Sequence, residues 1–207
     1  MAPDTGTDEI TQLVLRERQG RDRGWWDQMA ACYHPQSSVF VSWFRGTGPD
    51  FVSTSRSRVA TGKSPVHRLS PPVVHRTGDR AVVEVPAAIE FRTVIGDVEV
   101  DHVAYTRLLF RVAQHASGWL IVDLTGIYER DTLNPVHPGT DLDLDLERLA
   151  VGRSPYRYLS YMSDLGGART RDDLFGDDRP EQVAELYRAA FTWCSDTTPA
   201  DSGAEDE

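Results

Sequence analysis

Ala81-Val82-Val83-Glu84-Val85-Pro86-Ala87-Ala88-Ile89-Glu90-Phe91 and, after the turn Ile95-Gly96-Asp97, Val98-Glu99-Val100-Asp101-His102-Val103-Ala104-Tyr105-Thr106-Arg107-Leu108-Leu109-Phe110 decide the fold. In the first run the odd positions Ala81, Val83, Val85, Ala87, Ile89 and Phe91 are apolar. In the second the even positions Val98, Val100, Ala104, Leu108 and Phe110 are. A period of two means strands with one wet face and one core face, and the short Gly-Asp turn joins them as an antiparallel hairpin. Trp119 to Ile127 is apolar on both faces, as in a central strand, and Gly78-Asp79 and Ser117-Gly118 supply further turns. His67 to His75 reads as one more strand, interrupted by Pro71-Pro72, which places it at an edge or a bulge.

Working outward, Thr7 can cap a first helix carrying Ile10, Leu13 and Val14 at helical spacing. The pattern resumes at Trp25, Trp26, Met29 and Ala30 up to Tyr33, with a break at Gly24 and an end at His34-Pro35, because a residue before proline avoids the α region. Ser38 to Phe44 reads as a short strand and Phe51 to Ala60 as a short helix. Beyond Pro135 and Pro138, Leu142, Leu146 and Leu149 fit a helical stripe, and Tyr156, Leu159 and Met162 a second one ended by Gly166-Gly167. Asp178 before Pro180 opens a third, whose apolar face is Val183, Leu186, Tyr187, Ala190, Phe191 and Cys194. Residues 195–207 are acidic and small and are expected to be disordered. Helices, then strands, then helices predict an α+β fold: a cone-shaped, curved antiparallel sheet with N-terminal helices on its concave face and a C-terminal helical extension.

The 207-residue chain has ordinary globular composition, enough for one domain with an appended element. A net charge of −10 argues against nucleic-acid binding by phosphate neutralisation and against an anionic membrane surface. No apolar run approaches the ~20 residues that span a bilayer. The acidic, polar start shows no secretory signal, and Cys32 and Cys194 read as small buried hydrophobes in a reducing cytosol, so a cytoplasmic location is expected. Lys63 is the one lysine against many arginines, which suggests a GC-rich bacterial source. There is no phosphate loop, dinucleotide fingerprint or nucleophile elbow. The six histidines form no i,i+4 pair, the cysteines have no zinc spacing, and the Asp141/Asp143/Asp145 run lacks the glycine and glutamate of a calcium loop. Acid–base chemistry without metal or cofactor is what remains, if the protein is an enzyme.

Four stretches then carry a resemblance: Arg21-Asp22-Arg23-Gly24-Trp25-Trp26-Asp27, His67-Arg68-Leu69, Ser117-Gly118-Trp119-Leu120-Ile121 and Tyr128-Glu129-Arg130-Asp131-Thr132-Leu133-Asn134-Pro135-Val136. With the order of elements they resemble the nuclear transport factor 2-like superfamily, and within it the SnoaL-like and scytalone-dehydratase-like proteins. The resemblance implies a domain over residues 1–138, a helical extension over 139–194 and a tail over 195–207. In the dehydratases of this group an aspartate just before the tryptophan of helix two faces a histidine on the sheet. Asp22 and His67 match those positions and are the implied catalytic pair. The plainer readings are a helix cap or solvated charge for Asp22 and a hydrogen-bonded strand histidine for His67.

The implied activity is a dehydratase, or an isomerase or cyclase, acting without cofactor on a hydrophobic oxygenated small molecule such as a polyketide, terpenoid or steroid-like ring. The alternative is a non-catalytic binding or scaffold module of the same fold. A homo-oligomer, dimer or trimer, is expected. From the residues alone, His102 sits among apolar neighbours on the core face of its strand, as either a satisfied core group or a pocket group. Tyr33, Trp43 and Tyr128 are candidate substrate contacts, Tyr33 because a phenol there could polarise a carbonyl. Asp123 is the candidate base for an isomerase or cyclase role. A paired, buried Asp22–His67 distinguishes the enzyme from the binding module.

Overall fold

The computed structural model, which describes residues 5–60, 65–167 and 170–196, begins with helix α1 (Thr5–Arg23) and the short α2 (Trp26–Ala30). Gly24 separates them at φ +69°, a left-handed turn that a side chain would strain. Strands β1 (Tyr33–Val41) and β2 (Phe44–Thr47) follow, then α3 (Gly48–Ala60), β3 (Val66–Leu69) and β4 (Val73–Thr77). Three long strands carry the fold: β5 (Arg80–Ile95), β6 (Val98–His115) and β7 (Gly118–Pro135). The C-terminal part holds α4 (Leu146–Ala150), a 3-10 turn (Ser154–Tyr156), α5 (Arg157–Leu165), the two-residue β8 (Phe175–Gly176) and α6 (Pro180–Ser195).

The strand order is β2-β1-β7-β6-β5-β3, with β4 also paired to β5 and β8 to β7. The long strands pair antiparallel, as their alternation predicts, whereas β1 runs parallel to β7. A parallel neighbour needs a long crossover, and the chain from β2 to β6 provides it. The curved sheet is bent in part by irregularities in the β6–β7 register, where Val122 and Glu129 are passed over.

Each face of the sheet has its own cover. Val83, Val85, Leu108, Phe110 and Ile121 pack against Ile10, Val14 and Met29 of the N-terminal helices and Phe51 of α3 on the concave side. Val82, Leu109 and Ile127, on the opposite face, pack under Ala190 and Cys194 of α6. The amphipathic C-terminal helix thus buries Ala190 and Cys194 within the subunit and partly covers Val183, Leu186 and Tyr187, while Phe191 stays exposed. Arg153 ties the preceding loop down. It donates to both carboxylate oxygens of Asp178 at 2.6 and 2.8 Å and to the Asp172 and Leu174 carbonyls. No described helix is long and apolar enough to cross a membrane.

Several local expectations are corrected. Thr7 lies inside α1 rather than capping it, and α2 ends at Ala30, so Tyr33 opens β1 instead of closing a helix. Pro35 is accommodated because the β1–β7 pairing shifts register between Tyr33 and Ser38. The stripe begun at Leu142 becomes helix only from Leu146. Asp145 caps it by accepting from the Arg148 backbone N–H at 3.0 Å, and aspartates favour caps over helix interiors. Pro71-Pro72 splits the edge segment into β3 and β4. Of the expected tail, Ser195 closes α6, while 197–207 lie outside the described residues.

Candidate active site

One row of the concave face sets the site. His67 of β3 stands opposite Ile89 of β5, Ile89 opposite Ala104 of β6, and Ala104 opposite Asp131 of β7. His102 lies one step along β6 from Ala104, opposite Phe91. His67, Ile89, Phe91, His102 and Ala104 floor a cavity of about 500 Å³, with Asp131 behind them. Arg18 and Arg21 of α1 and Phe51 and Arg58 of α3 form one wall, Trp43 and Tyr128 another, and Leu159, Met162 and Leu165 of α5 cover the mouth.

Asp22, in the last turn of α1, reaches across to β3. Its Oδ2 accepts the His67 backbone N–H at 2.7 Å and its Oδ1 accepts the ring Nδ1–H at 2.6 Å. The two contacts fix both the position and the orientation of the imidazole. Arg18 donates from Nη1 to His67 Nε2 at 3.3 Å, so the Nε2 lone pair faces that guanidinium at the cavity wall and the ring is the neutral Nδ1–H tautomer. Burial drives the His67 pKa below its ordinary 6.5; Asp22 opposes this and the Arg18 charge adds to it. For Asp22, burial pushes the carboxyl pKa up, but the hydrogen bonds and charge of His67 outweigh it and leave the pKa below the usual range. The result is a carboxylate-held, unprotonated imidazole at neutral pH, the form a general base requires.

Arg18 is itself held. Its guanidinium is paired with the fully buried Glu17, and Glu17 also accepts the Tyr33 hydroxyl at 2.9 Å. Tyr33 is therefore committed beneath α1 and does not line the cavity. The expectation that its phenol meets substrate does not hold, because β1 starts at Tyr33 and turns the ring toward α1. Tyr33→Phe should cost about 1–3 kcal/mol of unfolding free energy, since Glu17 loses a buried donor, with ligand binding in the cavity unchanged. Urea unfolding beside a ligand titration checks both.

His102 is fully buried, and its Nε2 lies 3.3 Å from Asp131 Oδ2. The same Asp131 oxygen accepts the Leu159 backbone N–H at 2.8 Å. Helix α5 has no side-chain cap of its own at Tyr156, so Asp131 serves from the sheet as its N-terminal acceptor. His102 Nδ1 has no partner among the described residues. Trp43 and Tyr128 both line the cavity. Tyr128 Oη accepts the Ser42 N–H at 2.8 Å, which leaves its own proton free to donate. Burial raises the Tyr128 pKa, keeping it a phenol. Asp123 lies elsewhere, bonded to Ser38 and 3.1 Å from Arg111, so it has no place in this cavity.

Residues 5–125 match the SnoaL-like domain family. The chain belongs to that family. Pea pathogenicity protein 2 of the fungus Fusarium vanettenii is 28% identical over 89% of this chain and 85% of its own length. Two solved structures share the fold. One is a putative scytalone dehydratase from Novosphingobium aromaticivorans (TM-score 0.50, 16% identity, 66% of this chain and 95% of that one). The other is a hexachlorocyclohexane dehydrochlorinase, LinA type 3, from Novosphingobium barchaimii (TM-score 0.52, 14% identity, 68% and 96%). The SnoaL-like fold thus accounts for the sheet and the helices on its concave face. In this SnoaL-like chain the match ends within β7, and α5 and α6 add a cover over the cavity and a pack against the opposite face.

Sequence reasoning placed Asp22, His67, His102, Trp43 and Tyr128 as candidates; the structure brings the last four to one cavity, with Asp22 bonded to His67 from behind. It missed Arg18, Arg21, Arg58 and Asp131. Asp131 escaped because β7 changes phase twice. Trp119 and Ile121 face the concave core, then Leu124, Gly126 and Tyr128, then Asp131 and Leu133. Arg18 carried one signal that could have found it: it and Asp22 are four apart on α1, hence on the same helix face.

Proposed function

We propose that the protein is a cofactor-independent acid–base enzyme, a dehydratase by preference, acting on a hydrophobic oxygenated ring compound. The observation that carries this reading is the buried Asp22–His67 pair, with His67 at the wall of an aromatic-lined cavity and its Nε2 unprotonated against the Arg18 donor, which the substrate displaces. His67 takes a proton from the carbon next to a carbonyl, and the electron pair moves onto the carbonyl oxygen. Tyr128 donates a hydrogen bond to that oxygen. The enolate then expels a β-hydroxyl, which receives a proton and leaves as water, forming the conjugated double bond.

The proton for the leaving hydroxyl comes from His67, whose low basicity makes it ready to give the proton back. His102, on the floor of the cavity with Nδ1 unengaged, orients that hydroxyl. Asp22 stays ionised throughout and holds the imidazole. The cavity sets convergent polar groups among aromatic and aliphatic walls, the pattern of a small-molecule site. The dehydratase and dehydrochlorinase of similar fold both carry names for elimination reactions, which agrees with this chemistry.

A panel of bicyclic β-hydroxyketones, followed by the ultraviolet absorbance of the conjugated enone, tests the reading. Wild-type protein should form enone from at least one member and His67→Ala should not. No rate above buffer for any member, or equal rates with His67→Ala, would count against it.

A further inference from the structure

We propose that Arg21, with Arg58 beside it, forms a subsite that holds a carboxylate of the ligand. This rests on reading the cavity as a small-molecule site, though not on any particular reaction there. Arg21 is 2% exposed and lines the cavity, and its Nη1 has no hydrogen-bond partner among the described residues. A buried guanidinium with an empty donor is costly unless an acceptor arrives. Carboxylates at this wall are already committed. Glu17 is taken by Arg18 and Tyr33, Asp22 by His67, and Asp131 by His102 and the Leu159 N–H.

The cavity is therefore lined by four arginines, Arg18, Arg21, Arg58 and Arg92, with the Arg18 charge met by Glu17 and the Arg92 charge by Asp101. Burial, and then the neighbouring Arg18, bring the Arg21 pKa down to about 10, which still leaves it charged at neutral pH. The Arg21 and Arg58 guanidiniums lie 5.8 and 4.5 Å from the Trp43 ring centroid, which helps hold cations at this wall but supplies no acceptor.

The geometry selects the ligand chemistry. One buried, unmatched cation calls for a monoanion, and a guanidinium fork matches the two oxygens of a carboxylate. Arg21 is near enough to His67 for its charge to depress the imidazole. A carboxylate on Arg21 therefore sits beside the base, with the hydrophobic remainder of the molecule along Trp43, Phe91 and the α5 residues. Neutralising Arg21 also makes His67 a stronger base, so binding the anion would prepare the proton transfer.

The test is a pair of near-isosteric probes, 2-naphthoate and 2-naphthamide, titrated against the full chain by calorimetry. Wild-type protein should bind the carboxylate at least ~10-fold more tightly than the amide, the scale of a charge-assisted bidentate pair. Arg21→Gln should bring the two affinities within ~2-fold of each other, and Arg21→Lys, which keeps the charge without the fork, should fall between. Equal affinities in wild type, no detectable naphthoate binding, or a preference that survives in Arg21→Gln but vanishes in Arg58→Gln would overturn the assignment. If Arg21→Gln fails to fold, the wild-type comparison and Arg21→Lys still decide. No turnover is read. An anion preference without dehydration therefore removes the catalytic reading alone, and dehydration without anion preference removes the subsite alone.

Discussion

Asp22→Asn lowers kcat/KM by about 10²–10⁴-fold, the loss expected when an imidazole base is deprived of the carboxylate that fixes its tautomer. Asp22 holds His67 at two points, the backbone N–H and the ring Nδ1–H. Asparagine can accept at one of them but supplies no negative charge. The substitution should leave the fold intact, because Asp22 lies near the end of α1 and packs no core side chain. His67→Ala should fall at least as far, since the base itself is gone. In the wild type, kcat/KM should decline as pH falls through the depressed His67 pKa, with a midpoint below 6.5. The sign follows from protonation: the charged imidazole has no lone pair with which to take a proton. A profile flat below that pH, or an Asp22→Asn variant as fast as wild type, would contradict the roles of base and orienting carboxylate.

The second large effect belongs to Asp131→Ala. One carboxylate oxygen meets both His102 Nε2 and the Leu159 N–H, and its side chain is 1% exposed. Its removal leaves a buried imidazole with both nitrogens unpartnered and a helix N-terminus without an acceptor. The expected cost is about 2–4 kcal/mol in unfolding free energy. Because α5 covers the cavity mouth, KM should rise more than kcat falls, and the Leu159 amide should lose its hydrogen-exchange protection. Asp131→Asn, which keeps an oxygen for the Leu159 N–H, should retain most of that protection. An unprotected Leu159 amide already in wild type would mean that Asp131 does not hold α5 down.

What could be read from the chain depended on whether a signal was local. The alternation in β5 and β6 is a local pattern, and it revealed those strands, their hairpin and the face of His102. Gly24 and Pro180 marked helix boundaries for equally local reasons, a left-handed turn and a first-turn proline. Tyr33 failed because helix and strand periods both accommodate a short aromatic run. What settled it was pairing with Ile121, 88 positions away in the chain. The Asp22–His67 pair came from the resemblance, since a contact across 45 residues has no sequence period. Asp131 was hidden by register shifts that no period-two reading passes through. Arg18 and Arg21 of α1 carry no period that marks them as buried, and they are covered by tertiary packing, Arg18 against Phe51 of α3 and His67 of β3.

The most direct test of the catalytic pair incubates wild type, Asp22→Asn and His67→Ala with an extract of hydrophobic metabolites and follows every mass. At least one compound is expected to lose water with wild type alone. Compounds retained equally by all three proteins, with no mass changed by any of them, would show a binding protein and contradict the catalytic pair.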